Sequence, residues 1–383
     1  MEQVLLLGAS GSIGEQTLSI IKEAPNDFVL VGFSVGQQSN KIEPILSAHP
    51  MVKYVFLRDK ELADALSNKY PNIKFFSGDS GIIALTETCD FTMLVNALVG
   101  FVGLGPTLVA LGKKATVALA NKEALVVGGA LIKELLHTGN GQLYPIDSEH
   151  VALRKCLAHA NLNQIERVVI TASGGPFRNW SSVEMQNATV ADALKHPSWQ
   201  MGAKITIDSA TMMNKGFEVI EAHYLFDIPL SQIDVLIHPE SKIHALVEFR
   251  DGSYLADIGP TSMAIPIAHA LYRGKRPLTL KHPRLPLEAF NTWHFYPLEK
   301  EQFPAVEIAK NALEKGGIYP TILNAANEEA VHAFLNGQIH FNEIVSLVAD
   351  ALKHAPLIDN LDYPTIVRVD ELTRQKIRKK IGI

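Results

Sequence analysis

Val4-Leu5-Leu6-Leu7-Gly8-Ala9-Ser10-Gly11-Ser12-Ile13-Gly14 reads as a short buried strand, a glycine turn and the opening of a helix. Beyond the turn, Ile13, Thr17, Ile20, Ile21 and Ala24 recur at helical spacing. Glycines between a strand and a helix let a dinucleotide pyrophosphate approach backbone N–H groups at the helix N-terminus. The spacing here is G-x-x-G-x-x-G rather than the commoner G-x-G-x-x-G, and the same turn also serves as a plain strand-to-helix connection. The following residues favour the first reading. Apolar runs at Phe28 to Val35, Tyr54 to Leu57, Phe91 to Val95, Thr116 to Ala120 and Gln142 to Ile146 alternate with helical patterns, as in a doubly wound parallel sheet.

Ligands of such sheets bind at the strand ends. Two of these ends carry polar residues: Asn96-Ala97-Leu98-Val99-Gly100, and Asn121-Lys122-Glu123. Lys122 is placed to hold a substrate anion or carbonyl, or to pair with Glu123. The last run delivers Tyr144-Pro145-Ile146-Asp147-Ser148-Glu149-His150. In an extended segment, residues two apart face the same side, so Asp147 and Glu149 can reach one hard divalent cation. A D-x-E pair alone is more often a solvated turn. Here Asp208-Ser-Ala-Thr-Met-Met-Asn-Lys-Gly-Phe-Glu-Val-Ile-Glu221 follows, offering Ser209, Asn214 and Lys215 as phosphate donors. Glu218 and Glu221 lie three apart on a helical pattern, and either can complete the metal site.

The chain has 383 residues, with 35 Lys and Arg against 40 Asp and Glu and a net charge of -5. That length suits two or three domains, and the charge argues against a nucleic-acid surface. Two cysteines, Cys89 and Cys156, suggest a reducing compartment, with the cytoplasm expected. Neither a basic-apolar leader nor an apolar stretch long enough to cross a membrane is visible. From Ile165 a smaller α+β unit is expected. It contains the strand Val168 to Ala172 running into Ser173-Gly174-Gly175-Pro176-Phe177, a second anion cradle. His196-Pro-Ser-Trp199-Gln-Met201-Gly202 reads as a lid or as a loop anchored by its tryptophan. Strands at Ile233 to Ile237 and Ala245 to Phe249 flank His238 and His244. The proline-rich stretch 273–297 reads as a linker, and helical spacing from Pro304 onward as a closing bundle.

These segments together resemble one family, the 1-deoxy-D-xylulose 5-phosphate reductoisomerases, nearly end to end. The resemblance is carried by Gly8-Ala-Ser-Gly-Ser-Ile-Gly14, Ala120-Asn-Lys-Glu123, Pro145-Ile-Asp-Ser-Glu-His150, Ser173-Gly-Gly-Pro-Phe177, the His196 to Gly202 segment, Asp208 to Gly216 and Pro320-Thr-Ile-Leu-Asn-Ala-Ala-Asn-Glu328. It implies an α/β chain with a Rossmann-type NADPH domain at 1–146, a catalytic domain at 147–272, a linker at 273–297 and a helical bundle at 298–383, assembled as a homodimer. It implies NADPH and one divalent cation (Mg²⁺, Mn²⁺ or Co²⁺) as cofactors and a small phosphorylated ketose as substrate, with neither nucleic acid nor membrane as partner.

By the same resemblance Asp147, Glu149 and Glu218 are metal ligands and, with Lys122, catalytic. Ser148, Glu149, Ser173, His196, Trp199, Ser209, Asn214, Lys215, Glu218 and His244 contact substrate. Gly8, Ser10, Gly11, Ser12, Ile13, Gly36, Gln38, Ala97, Asn121, Glu123, Gly202 and Met263 contact NADPH. The implied reaction rearranges the carbon skeleton of the ketose to an aldehyde, which the nicotinamide then reduces.

Three segments depart from the family pattern. Gly36-Gln37-Gln38-Ser39-Asn40-Lys41 lacks the usual cation straight after the glycine, Thr261-Ser-Met-Ala264 stands where Pro-Asp-Met-Arg is usual, and Val151-Ala-Leu-Arg154 is less apolar than expected. The first concerns the cofactor, since an NADP site needs a cation near the end of the second strand and an NAD site usually has an acid there. This turn has neither. The alternative readings are an ordinary NAD(P) dehydrogenase, which needs no three-carboxylate site, and a catalytically silent paralogue.

Overall fold

The structure is a computed structural model describing residues 1–139, 141–158, 160–277, 281–355, 358 and 361–383. It divides into two compact units, the first formed by Met1–Ala124, Ala130–Asp147 and Ser262–His282, the second by Leu125–Gly129, Ser148–Thr261 and Pro283–Ile383.

The first unit is a seven-stranded sheet of β1 (Glu2–Leu7), β2 (Phe28–Ser34), β3 (Tyr54–Phe56), β4 (Lys74–Phe76), β5 (Met93–Asn96), β6 (Thr116–Leu119) and β7 (Gln142–Pro145). Their order is β4-β3-β2-β1-β5-β6-β7 and every pairing is parallel. Val4 to Leu7 are fully buried, as a central parallel strand covered on both faces requires. The order reverses at β1, so the glycine turn lies at the switch point where such sheets bind ligands. β4 goes unnoticed in the sequence because it is three residues long, lies at the sheet edge and begins on an exposed lysine. The helix Ala264–Leu271 packs with this sheet's core through Ile267, Ala268, Ala270 and Leu271. Residues 262–272, expected within the catalytic domain, therefore group with the nucleotide unit, because their apolar face is buried there.

The second unit is built on a mixed five-stranded sheet of β8 (Ile165–Ala172), β9 (Ile233–Ile237), β10 (Ile243–Phe249), β11 (Tyr254–Ile258) and β12 (Tyr296–Pro297). Its order is β11-β10-β8-β9-β12, with only β8 and β9 parallel. β12 shows that the expected linker 273–297 ends by adding an edge strand; Leu278 to Leu280 of that stretch lie outside the described residues. Helices Ala305–Lys315, Tyr319–Leu335, Phe341–Lys353 and Tyr363–Ile381 close the chain. They belong to the same compact unit as the sheet, and Gly216 shows why: a Cβ there would stand 2.8 Å from Ala309 Cβ, so the Met213–Phe226 helix meets Ala305–Lys315 at a distance only glycine permits.

Candidate functional site

The glycine turn is built for close approach. Gly8 has φ +83°, and a Cβ there would lie 2.4 Å from the Ala97 carbonyl oxygen; a Cβ on Gly14 would lie 2.2 Å from that of Gly8. The helix Ser12–Glu23 begins at Gly11 with no side chain capping its first turn, which leaves N–H groups for an anion. These features fit a dinucleotide. Around the turn, Ser10 and Ile13 are half-buried, and Gly11, Ser12, Gly36 and Gln38 are exposed. Lys41, the cation nearest the end of β2, pairs with Glu15 of the same helix at 2.8 Å. Asn121 is largely committed to architecture. Its Oδ1 caps the Lys122–Thr138 helix at Ala124 N–H (2.9 Å), and its Nδ2 donates to the Leu98 and Gly100 carbonyls and to Glu123. It thereby fixes the turn after β5 that contains Ala97. Gly202 is the N-cap of the Ala203–Ala210 helix, with open space where a side chain would be, and Met263 is packed against the first unit's core.

Asp147 follows β7, and a helix runs from Ser148 to Leu157. The extended geometry expected for Asp147 and Glu149 is therefore corrected: the chain turns into a helix between them. The helix N-terminus favours both carboxylates. Glu218 joins them from the Met213–Phe226 helix, and one ligand atom from each of the three lies within 4.8 Å of the others. Glu221 is not in this group; its Oε2 is 3.7 Å from His150 Nδ1. Cations already surround the cluster. Lys122 Nζ is hydrogen-bonded to Asp147 rather than held apart to pair only with Glu123, Lys215 Nζ meets Glu149 at 2.9 Å and also Glu218, and Asn214 Nδ2 donates to Glu218 at 2.6 Å. Ser148 donates to Glu149. Three hard oxygen donors from different carboxylates, with ammonium groups balancing them, suit Mg²⁺ or Mn²⁺.

Two features here escape sequence reading. His150, fully buried, bonds through Nε2 to the Glu218 carbonyl at 2.9 Å and so ties the Ser148–Leu157 helix to the one supplying Glu218. Met212 adopts φ +64°, a conformation that costs on the order of 1–3 kcal/mol in a non-glycine residue, just before Asn214 and Lys215. The histidine next to the acidic pair was a signal for the first; nothing in the sequence signals the second.

A second group forms around His196. Its Nε2 lies 3.1 Å from both Ser173 Oγ and Ser209 Oγ, while Nδ1 accepts the backbone N–H groups of Ser198 (3.2 Å) and Trp199 (2.9 Å). With Nδ1 accepting, Nε2 carries the proton in the neutral ring. Burial, and secondarily the charge of Lys215, lower the His196 pKa to about 4, so the ring is a neutral donor near pH 7. Gly174 and Gly175 have φ of +86° and +67°, and a Cβ on Gly175 would stand 2.8 Å from the Ser209 carbonyl. The Trp199 ring lies 6.5 Å from His244, a buried histidine whose pKa burial lowers. Of the four residues expected at the phosphate, Ser173 and Ser209 thus gather at His196, whereas Asn214 and Lys215 bond to the carboxylates.

Three family descriptions match the chain: 1-deoxy-D-xylulose 5-phosphate reductoisomerase over residues 4–129, the C-terminal domain of that enzyme over 143–226, and the DXP reductoisomerase C-terminal domain over 258–376. A 1-deoxy-D-xylulose 5-phosphate reductoisomerase of Listeria welshimeri is 43% identical over 380 residues, covering 99% of each chain. A crystal structure of DOX-P reductoisomerase in complex with NADPH, fosmidomycin and magnesium superposes with a TM-score of 0.93 at 35% identity, covering 100% of this chain and 98% of that one. The Zymomonas mobilis enzyme in complex with NADPH gives a TM-score of 0.90 at 35% identity and 99% coverage of both.

Proposed function

The chain belongs to the 1-deoxy-D-xylulose 5-phosphate reductoisomerase family, and from that premise we propose how its residues divide the work. It is an oxidoreductase that converts 1-deoxy-D-xylulose 5-phosphate to 2-C-methyl-D-erythritol 4-phosphate with NADPH, in isoprenoid synthesis. The observation that carries the assignment of roles is the convergence of Asp147, Glu149 and Glu218.

These three carboxylates hold the divalent cation. When bound, the cation supplies Lewis-acid stabilisation of developing oxygen charge and NADPH supplies the hydride. Lys122, buried and bonded to Asp147, adds a fixed positive donor beside the reacting oxygens. Ser173, Ser209 and the Nε2–H of His196 grip the phosphate, anchoring the substrate away from the reacting carbons so that remote binding positions them. Lys215 and Asn214 lie between the two groups in function, steadying Glu149 and Glu218 while offering donors to the substrate. Trp199 and His244 cover the substrate and exclude water from the aldehyde.

The working form we propose is a homodimer, supported by Tyr254, Leu255 and Ile258, which are exposed on the edge strand β11. We also propose the cytoplasm as its compartment. Both cysteines are buried free thiols, Cys89 pushed up to about 12 and Cys156 to about 11 by burial, and among the described residues no helix is long and apolar enough to cross a membrane.

The test follows NADPH absorbance with the phosphorylated ketose and Mg²⁺. The native protein is expected to turn over, and Glu149→Gln to lose turnover while binding NADPH within about twofold of native, a difference of about 0.4 kcal/mol, because Glu149 is assigned to the cation and substrate and not to the cofactor. Near-native turnover by Glu149→Gln, or by native protein after chelation, overturns the assignment of the carboxylates.

A further inference from the structure

The segment Pro320-Thr-Ile-Leu-Asn-Ala-Ala-Asn-Glu328 has no part in the roles assigned above, yet its polar residues are placed at a cost. Thr321, Asn324 and Asn327 are fully buried in the Tyr319–Leu335 helix. Spaced three apart, they lie along one stripe. Asparagine is a poor helix former, and a buried amide is expensive unless its hydrogen bonds are made. The stripe makes few of them: Thr321 Oγ1, Asn324 Oδ1 and Asn327 Oδ1 are buried without a partner among the described residues.

What Asn327 does make is specific. Its Nδ2 donates to Asp208 Oδ1 at 2.7 Å. Asp208, also buried, receives Lys204 Nζ on its other oxygen at 2.8 Å, and that ammonium lies 5.0 Å from the centroid of the Phe217 ring. Asp208 precedes Ser209 on the Ala203–Ala210 helix, and the Ser209 hydroxyl is one of the two on His196 Nε2. The same helix starts at Gly202, where the Trp199 segment ends. A short helix held at one end by a loop can rotate about its axis; a charge-assisted hydrogen bond to a buried carboxylate on its last turn removes that freedom. Asn324 shares the stripe but not this contact, because its Nδ2 donates to Glu328 at 2.8 Å.

We propose that Asn327 is a positioning residue for the substrate phosphate: through Asp208 it fixes the rotation of the Ala203–Ala210 helix and hence the aim of Ser209. The proposal rests on Ser209 being a phosphate ligand.

Asn327→Leu is expected to raise KM for the phosphorylated ketose and weaken fosmidomycin inhibition by about tenfold, the effect of one lost charge-assisted hydrogen bond. NADPH affinity, read by fluorescence titration, and kcat at saturating substrate stay within about twofold. Asn324→Leu is expected to shift the thermal midpoint while leaving KM and inhibition unchanged. Should Asn327→Leu not fold, Asn327→Ser provides the same readouts with a smaller change in shape. The proposal is overturned if the Asn327 variant changes the thermal midpoint alone, or if Asn324→Leu raises KM equally. Ser209→Ala is measured alongside: unchanged inhibition there refutes the phosphate assignment itself, whereas weakened inhibition there with none at Asn327 refutes only the positioning role.

Discussion

Lys215 carries two demands on one ammonium. It lies 2.9 Å from Glu149 and bonds Glu218, so it neutralises carboxylates proposed to hold a cation, and it is also proposed to meet the substrate's anionic end. A positive charge beside a cation site opposes the cation, and one beside a dianion assists it. Lys215→Ala is therefore expected to weaken a phosphonate inhibitor of the fosmidomycin type by about tenfold or more while tightening Mg²⁺ binding in titration calorimetry. An unchanged inhibition constant would place the lysine outside the substrate's reach, and weaker Mg²⁺ binding would mean that it orients the carboxylates more than it repels the metal. At this scale much was legible, since Asp147 and Glu149 announce themselves as acids closing an apolar strand. The choice between Glu218 and Glu221 was legible only through the family resemblance. Three residues apart, they share a face of any helix, and in the structure Glu218 gathers with Asp147 and Glu149 whereas Glu221 approaches His150.

At the scale of an element, the turn after β2 is where we propose that the cofactor's 2′-phosphate is met. Gln37 and Gln38 are exposed there, with no acid to repel a 2′-phosphate. Lys41 lies on the following turn, Ser39–Lys41, but its charge is shared with Glu15 across to the helix that begins at the glycine turn. Both side chains are about half exposed, so the pair itself contributes little stability; we propose that it offsets the charge Lys41 would otherwise offer to the ribose end of the cofactor. Relaxing it with Glu15→Gln, or adding a cation with Gln37→Arg, is expected to increase the ratio of NADPH to NADH affinity severalfold, measured as dissociation constants by fluorescence. Lys41→Gln is expected to lower that ratio. If none of the three moves it, the 2′-phosphate is bound elsewhere. The turn and its missing charges can be read directly from the residues. The Lys41–Glu15 pair cannot, because it joins positions 26 apart that only the packing of the sheet brings together.

For the whole molecule, the β11 edge of the second sheet is one that the described residues leave unpaired. β11 ends the order β11-β10-β8-β9-β12 and exposes Tyr254, Leu255 and Ile258. Large apolar groups on an unpaired edge are a liability unless a partner covers them. Light scattering is expected to give twice the chain mass for the native protein and the single chain mass for Leu255→Lys combined with Ile258→Lys. A native monomer, or a double variant that still dimerises, would exclude this edge as the interface.

The sequence by itself determined the doubly wound parallel class of fold, because the apolar run and glycine turn at its start are followed by five further apolar runs alternating with helical patterns; the short edge strand β4 was not legible in it. It also determined the helical close of the chain, since periodicity of 3.6 persists over the stretch beyond Pro304. Tertiary structure decided the rest. It moved Ala264–Leu271 to the nucleotide unit by burying its apolar face there, began a helix between Asp147 and Glu149 where an extended segment was expected, and brought Asn327 to Asp208 across 119 positions. The physical reason is range: periodicity and turn chemistry act between near neighbours, whereas the pairing of a buried amide with a buried carboxylate depends on which helices pack together, and no local pattern encodes that.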